Sequence, residues 1–224
     1  MDRENVVGSH RKVFREEIRN AIRDAIFAGE LKPGDRVIET YWAKELGVSQ
    51  GPVREAIRDL EAIGLVETVP FKGTRVRLMT EKDIQDNYSV RICLESKSIR
   101  DAITLLDDAQ LEELAAQLRS ILKEMDVCAG QGDLRAFTEC DTAFHRAIID
   151  ATGNQVLLKL WEQCNMRNWF MVSALTDSAS LKQLQSGHQH IFAAICAKDV
   201  AEATSTLEHH LTSLMEGFMR AEST

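Results

Sequence analysis

Apolar residues recur at helical spacing through Val13, Ile18, Ile22 and Ile26, and the run stops at Gly29 with Pro33-Gly34 just beyond, a combination that ends helices. This predicts a first helix over Val13 to Phe27. Arg36-Val37-Ile38 reads as a short extended piece, Glu39 to Leu46 as a second short helix and Ser49 to Ile63 as a third. In the third, Val53, Ala56, Ile57 and Leu60 share one face and leave Gln50, Arg54 and Arg58 on another. Gly47 permits the positive φ of a turn between packed helices, Ser49 is placed to cap the next helix, and Pro52 falls in the first turn, where a missing N–H is harmless. Leu65 to Val69 and Thr74 to Leu78 are β-prone around Pro70-Phe71-Lys72-Gly73, a hairpin with a basic tip. Three helices and a hairpin predict a winged helix-turn-helix, which presents an outward basic helix face to the major groove of DNA.

Beyond Leu78 the texture changes. Thr80-Glu81-Lys82-Asp83 is an acidic variant of the capping box and supplies a helix start. Ile84 to Leu105, Asp108 to Val127, Asp133 to Ala151, Gln155 to Leu175, Leu181 to Ala197 and Val200 to Met219 are periodic segments. They are separated by Asp107, Gly130 to Gly132, Gly153-Asn154 and Lys198-Asp199. With no strand pattern and no repeat, this half predicts an antiparallel bundle of about six helices, large enough to hold a buried pocket. The expected fold is therefore mainly α: a winged helix-turn-helix domain over residues 1–79, then an all-helical bundle over residues 80–224.

Charge refines that picture. The net charge of -8 argues against a nucleic-acid partner only if taken whole, because Met1 to Thr80 carries 14 Lys and Arg against 13 Asp and Glu, and the remainder 13 against 22. A near-neutral first segment can hold a local basic footprint while an acidic body points away from phosphates. Cys93, Cys128, Cys140, Cys164 and Cys196 are odd in number, scattered and never in a CxxC pair, as expected for reduced core thiols. No apolar run approaches the roughly 20 residues of a membrane span, and MDRENVVGSHRKVF lacks the apolar segment of a secretory signal. A cytoplasmic protein with no membrane partner is the expectation.

The stretch IRDAIFAGELKPGDRVIETYWAKELGVSQGPVREAIRDLEAIGLV resembles the DNA-binding domain of the GntR family of bacterial transcriptional regulators. The helical remainder resembles the FCD-type effector domain of the FadR-like subfamily, through Asp141-x-x-x-His145, Gly153-Asn154, His188 and His210. Asp141 and His145 are four apart and share a helix face, while His188 and His210 fall on the last two helices, which a short turn makes antiparallel neighbours. Such a set suits Zn²⁺, Ni²⁺, Co²⁺ or Mn²⁺. Four ligands in a tetrahedron would close the site, whereas an octahedral ion would keep two positions for water or a small carboxylate. His190 and His209 neighbour the ligands but project elsewhere.

The resemblance implies that Arg91 receives the carboxylate of an organic-acid effector, a role suited to its bidentate fork; the alternative is a plain pair with Glu95 one turn on. Asn168, Trp161 and Trp169 are pocket-lining candidates, although aromatic residues at helical spacing are commonly core. On the DNA side the resemblance assigns contacts to Ser49, Gln50, Gly51, Arg54 and Arg58, with Lys72 and Gly73 in the wing. For Arg54 the alternative is an intrahelical partner, Asp59 or Gln50. Gln50 and Gly51 replace the commoner Arg and Thr of SRTPVREA, so operator sequence does not transfer, since Gln prefers adenine where Arg reads guanine. The implied function is a sequence-specific regulator, a repressor by the family's habit, acting as a homodimer on double-stranded operator DNA. It is not expected to be an enzyme. Effector binding at the metal would pass to the first domain through the Met79 to Asp83 junction. The competing readings are a purely structural metal and, further off, a metalloenzyme fused to a DNA-binding domain.

Overall fold

The computed structural model describes residues 15–26, 28–78, 80–172 and 178–222, with side chains described except at 165–172, 178–180 and 218–222. Val13, Phe27 and Met79 thus fall outside the described residues, as do the side chains of Asn168 and Trp169. The chain forms two compact units, Met1–Met79 and Thr80–Thr224.

The first unit holds a helix α1 over 15–26, α2 (Glu39–Glu45), α3 (Gln50–Ala62) and the strands β1 (Val66–Val69) and β2 (Gly73–Val76). The strands pair antiparallel with Val66 opposite Val76 and Val69 opposite Gly73, and Arg36 adds an isolated bridge to Arg75. Val53, Ala56, Ile57 and Leu60 of α3 are buried with Ile22, Trp42, Leu65 and Val76, so the apolar face read from spacing is the core face. Gly47 takes φ 65° between α2 and α3, a conformation that costs Gly little. Ser49 is the N-cap of α3 with extended backbone, but its side chain makes no capping hydrogen bond. The cap expected of Ser49 is therefore not formed, and its hydroxyl stays exposed at the helix start.

The second unit is helical: α4 (Glu81–Leu105), α5 (Asp108–Gln131), α6 (Leu134–Ala151), α7 (Gln155–Val172), α8 (Ser178–Cys196) and α9 (Val200–Glu222). Local signals set the helix starts. Thr80 Oγ1 accepts from Asp83 N–H at 3.1 Å while Asp83 Oδ2 accepts from Thr80 N–H at 3.0 Å, closing the capping box. Asp107 and Gln110 repeat the device for α5, and Asp133 caps α6. The expected stop at Val127 is overrun: α5 continues through Gly130 to Gln131 and ends on Gly132 at φ 70°, the residue able to adopt the left-handed terminus. Neighbouring helices α5 and α6, and α8 and α9, pack as hairpins; α4 packs against α6, α7 and α9. No helix of the described residues is long and apolar enough to cross a membrane.

Candidate metal centre and nucleic-acid interface

Three helices bring four ligating side chains together. Asp141 and His145 leave one face of α6, His188 comes from α8 and His210 from α9, and one ligand atom from each lies within 4.8 Å of all the others. All four are buried, at 4%, 2%, 0% and 5% relative exposure respectively. His188 and His210 approach edge to face with ring centroids 4.3 Å apart.

Hydrogen bonding on the far side of two rings dictates what the near side presents. His188 Nδ1 lies 2.9 Å from the Leu184 carbonyl one turn back, and a carbonyl only accepts, so Nδ1 carries the proton and Nε2 offers a lone pair. That lone pair faces Asp141 Oδ1 at 3.0 Å. His145 Nδ1 lies 2.7 Å from Glu95 Oε2, an oxygen with no other partner; a carboxylate oxygen only accepts, so this close contact favours the proton on Nδ1 and the Nε2 lone pair toward the cluster. His145 Nε2, His188 Nε2, His210 Nε2 and Asp141 Oδ2 have no hydrogen-bond partner. Buried lone pairs converging on one another are unfavourable unless a cation or shared protons sit among them. The donor set, three imidazoles and one carboxylate, fits a divalent transition ion.

Charge in the centre follows from this geometry. Burial lowers the His210 pKa, and the buried charge of Arg91 lowers it further, so the imidazole stays well below its ordinary 6.5 and neutral. Burial opposes the charge of Asp141, yet in the metal-free centre a proton shared between His188 Nε2 and Asp141 Oδ1, with His145 and Arg91, outweighs it and holds the carboxyl well below the usual range. A neutral imidazole and an ionised carboxylate are the forms that ligate.

Behind His145 stands a second layer. Glu95 Oε1 accepts from Arg91 Nε at 2.8 Å and from Trp161 Nε1 at 2.8 Å. Burial works against the Glu95 charge, but Arg91, His145 and Trp161 prevail and hold its pKa at about 2. Carboxylates placed behind ligating histidines fix tautomer and ring orientation. Arg91 thus has the Glu95 pairing, and it also keeps two free groups: Nη1 and Nη2 are buried without a hydrogen-bond partner. A cavity of about 450 Å³ borders His210 and is lined further by Gly187, His190, His209 and Ser213. At Gly187, an added Cβ would stand 2.5 Å from His210 Nδ1, so only glycine leaves room for that ring.

The FCD-type resemblance, with helix spacing, singled out Asp141, His145, His188 and His210, and the fold brings those four together. Glu95 and Gly187 escaped it as parts of the centre. Glu95 was visible as the residue one turn after Arg91, but its contact with Trp161 spans 66 positions. His190 and His209, set aside as projecting elsewhere, line the neighbouring cavity.

In the first unit Ser49, Gln50, Gly51, Arg54 and Arg58 are all exposed along the start and outer face of α3, and Lys72 and Gly73 are exposed at the hairpin tip. Arg54 pairs with neither Asp59 nor Gln50. Its Nε and Nη2 grip the Glu39 carboxylate of α2 at 3.2 and 2.9 Å, while Asp59 pairs with Arg15 at 3.0 Å and Arg58 with Glu55 at 2.8 Å. These pairs are solvent-exposed, where ion pairs exchange readily for phosphate contacts.

Comparison with known proteins gives two family matches: the model for bacterial regulatory proteins of the gntR family covers residues 14–76, and the model for the FCD domain covers residues 86–213. A probable D-xylose utilization operon transcriptional repressor from Paenarthrobacter nicotinovorans is 32% identical over 92% of this chain and 88% of its own length. The transcriptional regulator LutR of Bacillus subtilis is 30% identical over 83% of this chain and 92% of its own. Among solved structures, Escherichia coli McbR/YncC shares the fold, with TM-score 0.78, 22% identity, and 92% and 97% of the two chains covered.

Proposed function

Because the chain belongs to the GntR family of bacterial transcriptional regulators and carries an FCD domain, it is a DNA-binding regulator rather than an enzyme, and we propose that a metal-bound organic acid in the helical unit controls its operator affinity. The observation that carries this reading is the buried convergence of Asp141, His145, His188 and His210 beside the two unpartnered amino groups of Arg91. An ion held by those four would supply positive charge for an anionic ligand. Arg91 then orients the ligand: with Nε committed to Glu95, its Nη1 and Nη2 remain for a carboxylate. The cavity beside His210, lined by Gly187, His190 and His209 and not by Arg91, has the volume to admit a small metabolite to the His210 side of the centre. The paired cations of α3 exchange their carboxylates for phosphates, and Gln50 reads base edges. The protein acts as a repressor, as its D-xylose operon relative is named, and as a homodimer, because a two-fold operator presents two half-sites to two recognition helices. To switch almost completely, the effector must bind the two states with affinities differing by about 5.5 kcal/mol.

A second reading has a specific observation behind it: four protein ligands, all buried, are enough to close a tetrahedral structural site. Metal analysis of wild type beside His188→Ala, followed by thermal-shift and operator-binding measurements with small carboxylates, separates the two. The sensor reading expects one ion per chain, and a carboxylate that stabilises wild type alone and changes DNA affinity. A structural ion predicts early melting when it is removed, with DNA affinity indifferent to every acid. Protein that holds no metal and responds to no acid overturns both.

A further inference from the structure

The hairpin tip of the DNA-binding unit carries a side chain that its own backbone disfavours. Lys72 N–H donates to the Val69 carbonyl at 3.0 Å, closing a four-residue turn with Pro70 second and Phe71 third. Phe71 has φ 64°, the sign that a type II turn demands at its third position and that Gly or Asn ordinarily supplies. A bulky L-residue there is strained. Among the described residues nothing repays the strain, because the ring has 110% relative exposure, the highest of the exposed large apolar side chains. The tip is also held firmly from below. Val69 pairs with Gly73 and Thr68 with Thr74, and Arg75 reaches across to Glu67 at 2.6 Å. The hairpin therefore holds an aromatic ring out into solvent beside Lys72, in the same unit as the exposed basic face of α3.

Backbone strain persists where it serves an interaction, and for this unit that interaction is with duplex DNA. We propose that Phe71 is an apolar wedge that enters the minor groove next to the site read by α3 and partly unstacks one base step, with Lys72 held to the adjacent phosphate. Aromatic and aliphatic wedges act in this way in minor-groove proteins. Pyrimidine–purine steps unstack most easily, so Phe71 selects such a step without any hydrogen bond to a base.

The test uses full-length protein and duplexes that the wild type selects from a random-sequence pool. Phe71→Gly removes both strain and ring, so its two effects oppose each other: the melting temperature rises by about 2–4 °C while affinity falls about tenfold. The salt dependence stays that of wild type, because no charge is lost. Phe71→Leu, which keeps an apolar wedge, retains most of the affinity. With 2-aminopurine placed at the pyrimidine–purine steps of the selected duplex, wild type brightens one step in each half-site and Phe71→Gly brightens none. The proposal is overturned if Phe71→Gly binds within about twofold of wild type, if it melts below wild type, or if no step brightens on binding the wild type.

Discussion

Glu95→Gln is nearly isosteric and tests whether the second layer sets the metal centre. Glu95 meets three donors: Arg91 Nε and Trp161 Nε1 on one oxygen, each at 2.8 Å, and His145 Nδ1 at 2.7 Å from the other. A glutamine has one acceptor oxygen. If it stays with Arg91 and Trp161, the new amide N–H₂ confronts the His145 N–H. The ring then moves its proton to Nε2, where a ligand lone pair is needed, or turns away. Loss of such a carboxylate typically lowers metal affinity 10–100-fold, about 1.4–2.8 kcal/mol. The substitution also leaves the buried Arg91 charge without its nearest counter-ion, which costs about 3–5 kcal/mol; Asp141, whose field also reaches Arg91, puts the expectation near the lower figure. Isothermal titration with Zn²⁺ after chelation reads the first effect, and denaturant unfolding of metal-free protein reads the second. A variant that binds Zn²⁺ as wild type does would refute the assigned role of Glu95 in fixing the His145 tautomer, whatever its stability.

Further outcomes follow from the same geometry. Gly187→Ala drives His210 from its place, since the new methyl stands 2.5 Å from Nδ1; Zn²⁺ affinity should fall by more than about tenfold, checked by competition with a chromophoric chelator. Arg54→Ala should weaken binding to all duplexes and reduce the salt slope by about 1.8, about 0.9 from each protomer of the dimer, if Arg54 holds a phosphate, whereas an unchanged slope with loss confined to one base position of the half-site marks it as a base reader. Metal-free protein should lose stability as pH falls. His210 is depressed below 6.5 and Glu95 from 4.5 to about 2, so the unfolded chain takes up protons before the folded one does, first below about pH 6.5 and again between about pH 5 and 2. A melting temperature flat from pH 7 to 4 contradicts the neutral, buried His210.

Much of the fold was legible because its determinants are local. The apolar face of α3, the Thr80–Asp83 box and the pairing of Asp141 with His145 on one face each depend on residues within a turn or two, where helix geometry alone decides what meets what. Ser49 shows the boundary even here: it is a favoured cap type at the right position, yet its hydroxyl makes no capping bond, because capping depends on rotamer as well as residue.

The amino-acid sequence by itself determined two units, the order and kind of their elements, and which side chains could ligate a metal or face DNA, since periodicity, glycines, prolines and caps act along the chain. Only the tertiary structure decided the partners of those side chains. Trp161 reaches Glu95 from α7, Glu39 takes Arg54 from α2, and Gly187 makes room for His210 between α8 and α9. Each of these joins residues on different elements. Their meeting depends on how far each helix is rotated and displaced against its neighbour, which the packing of whole side-chain layers decides and spacing along one helix does not.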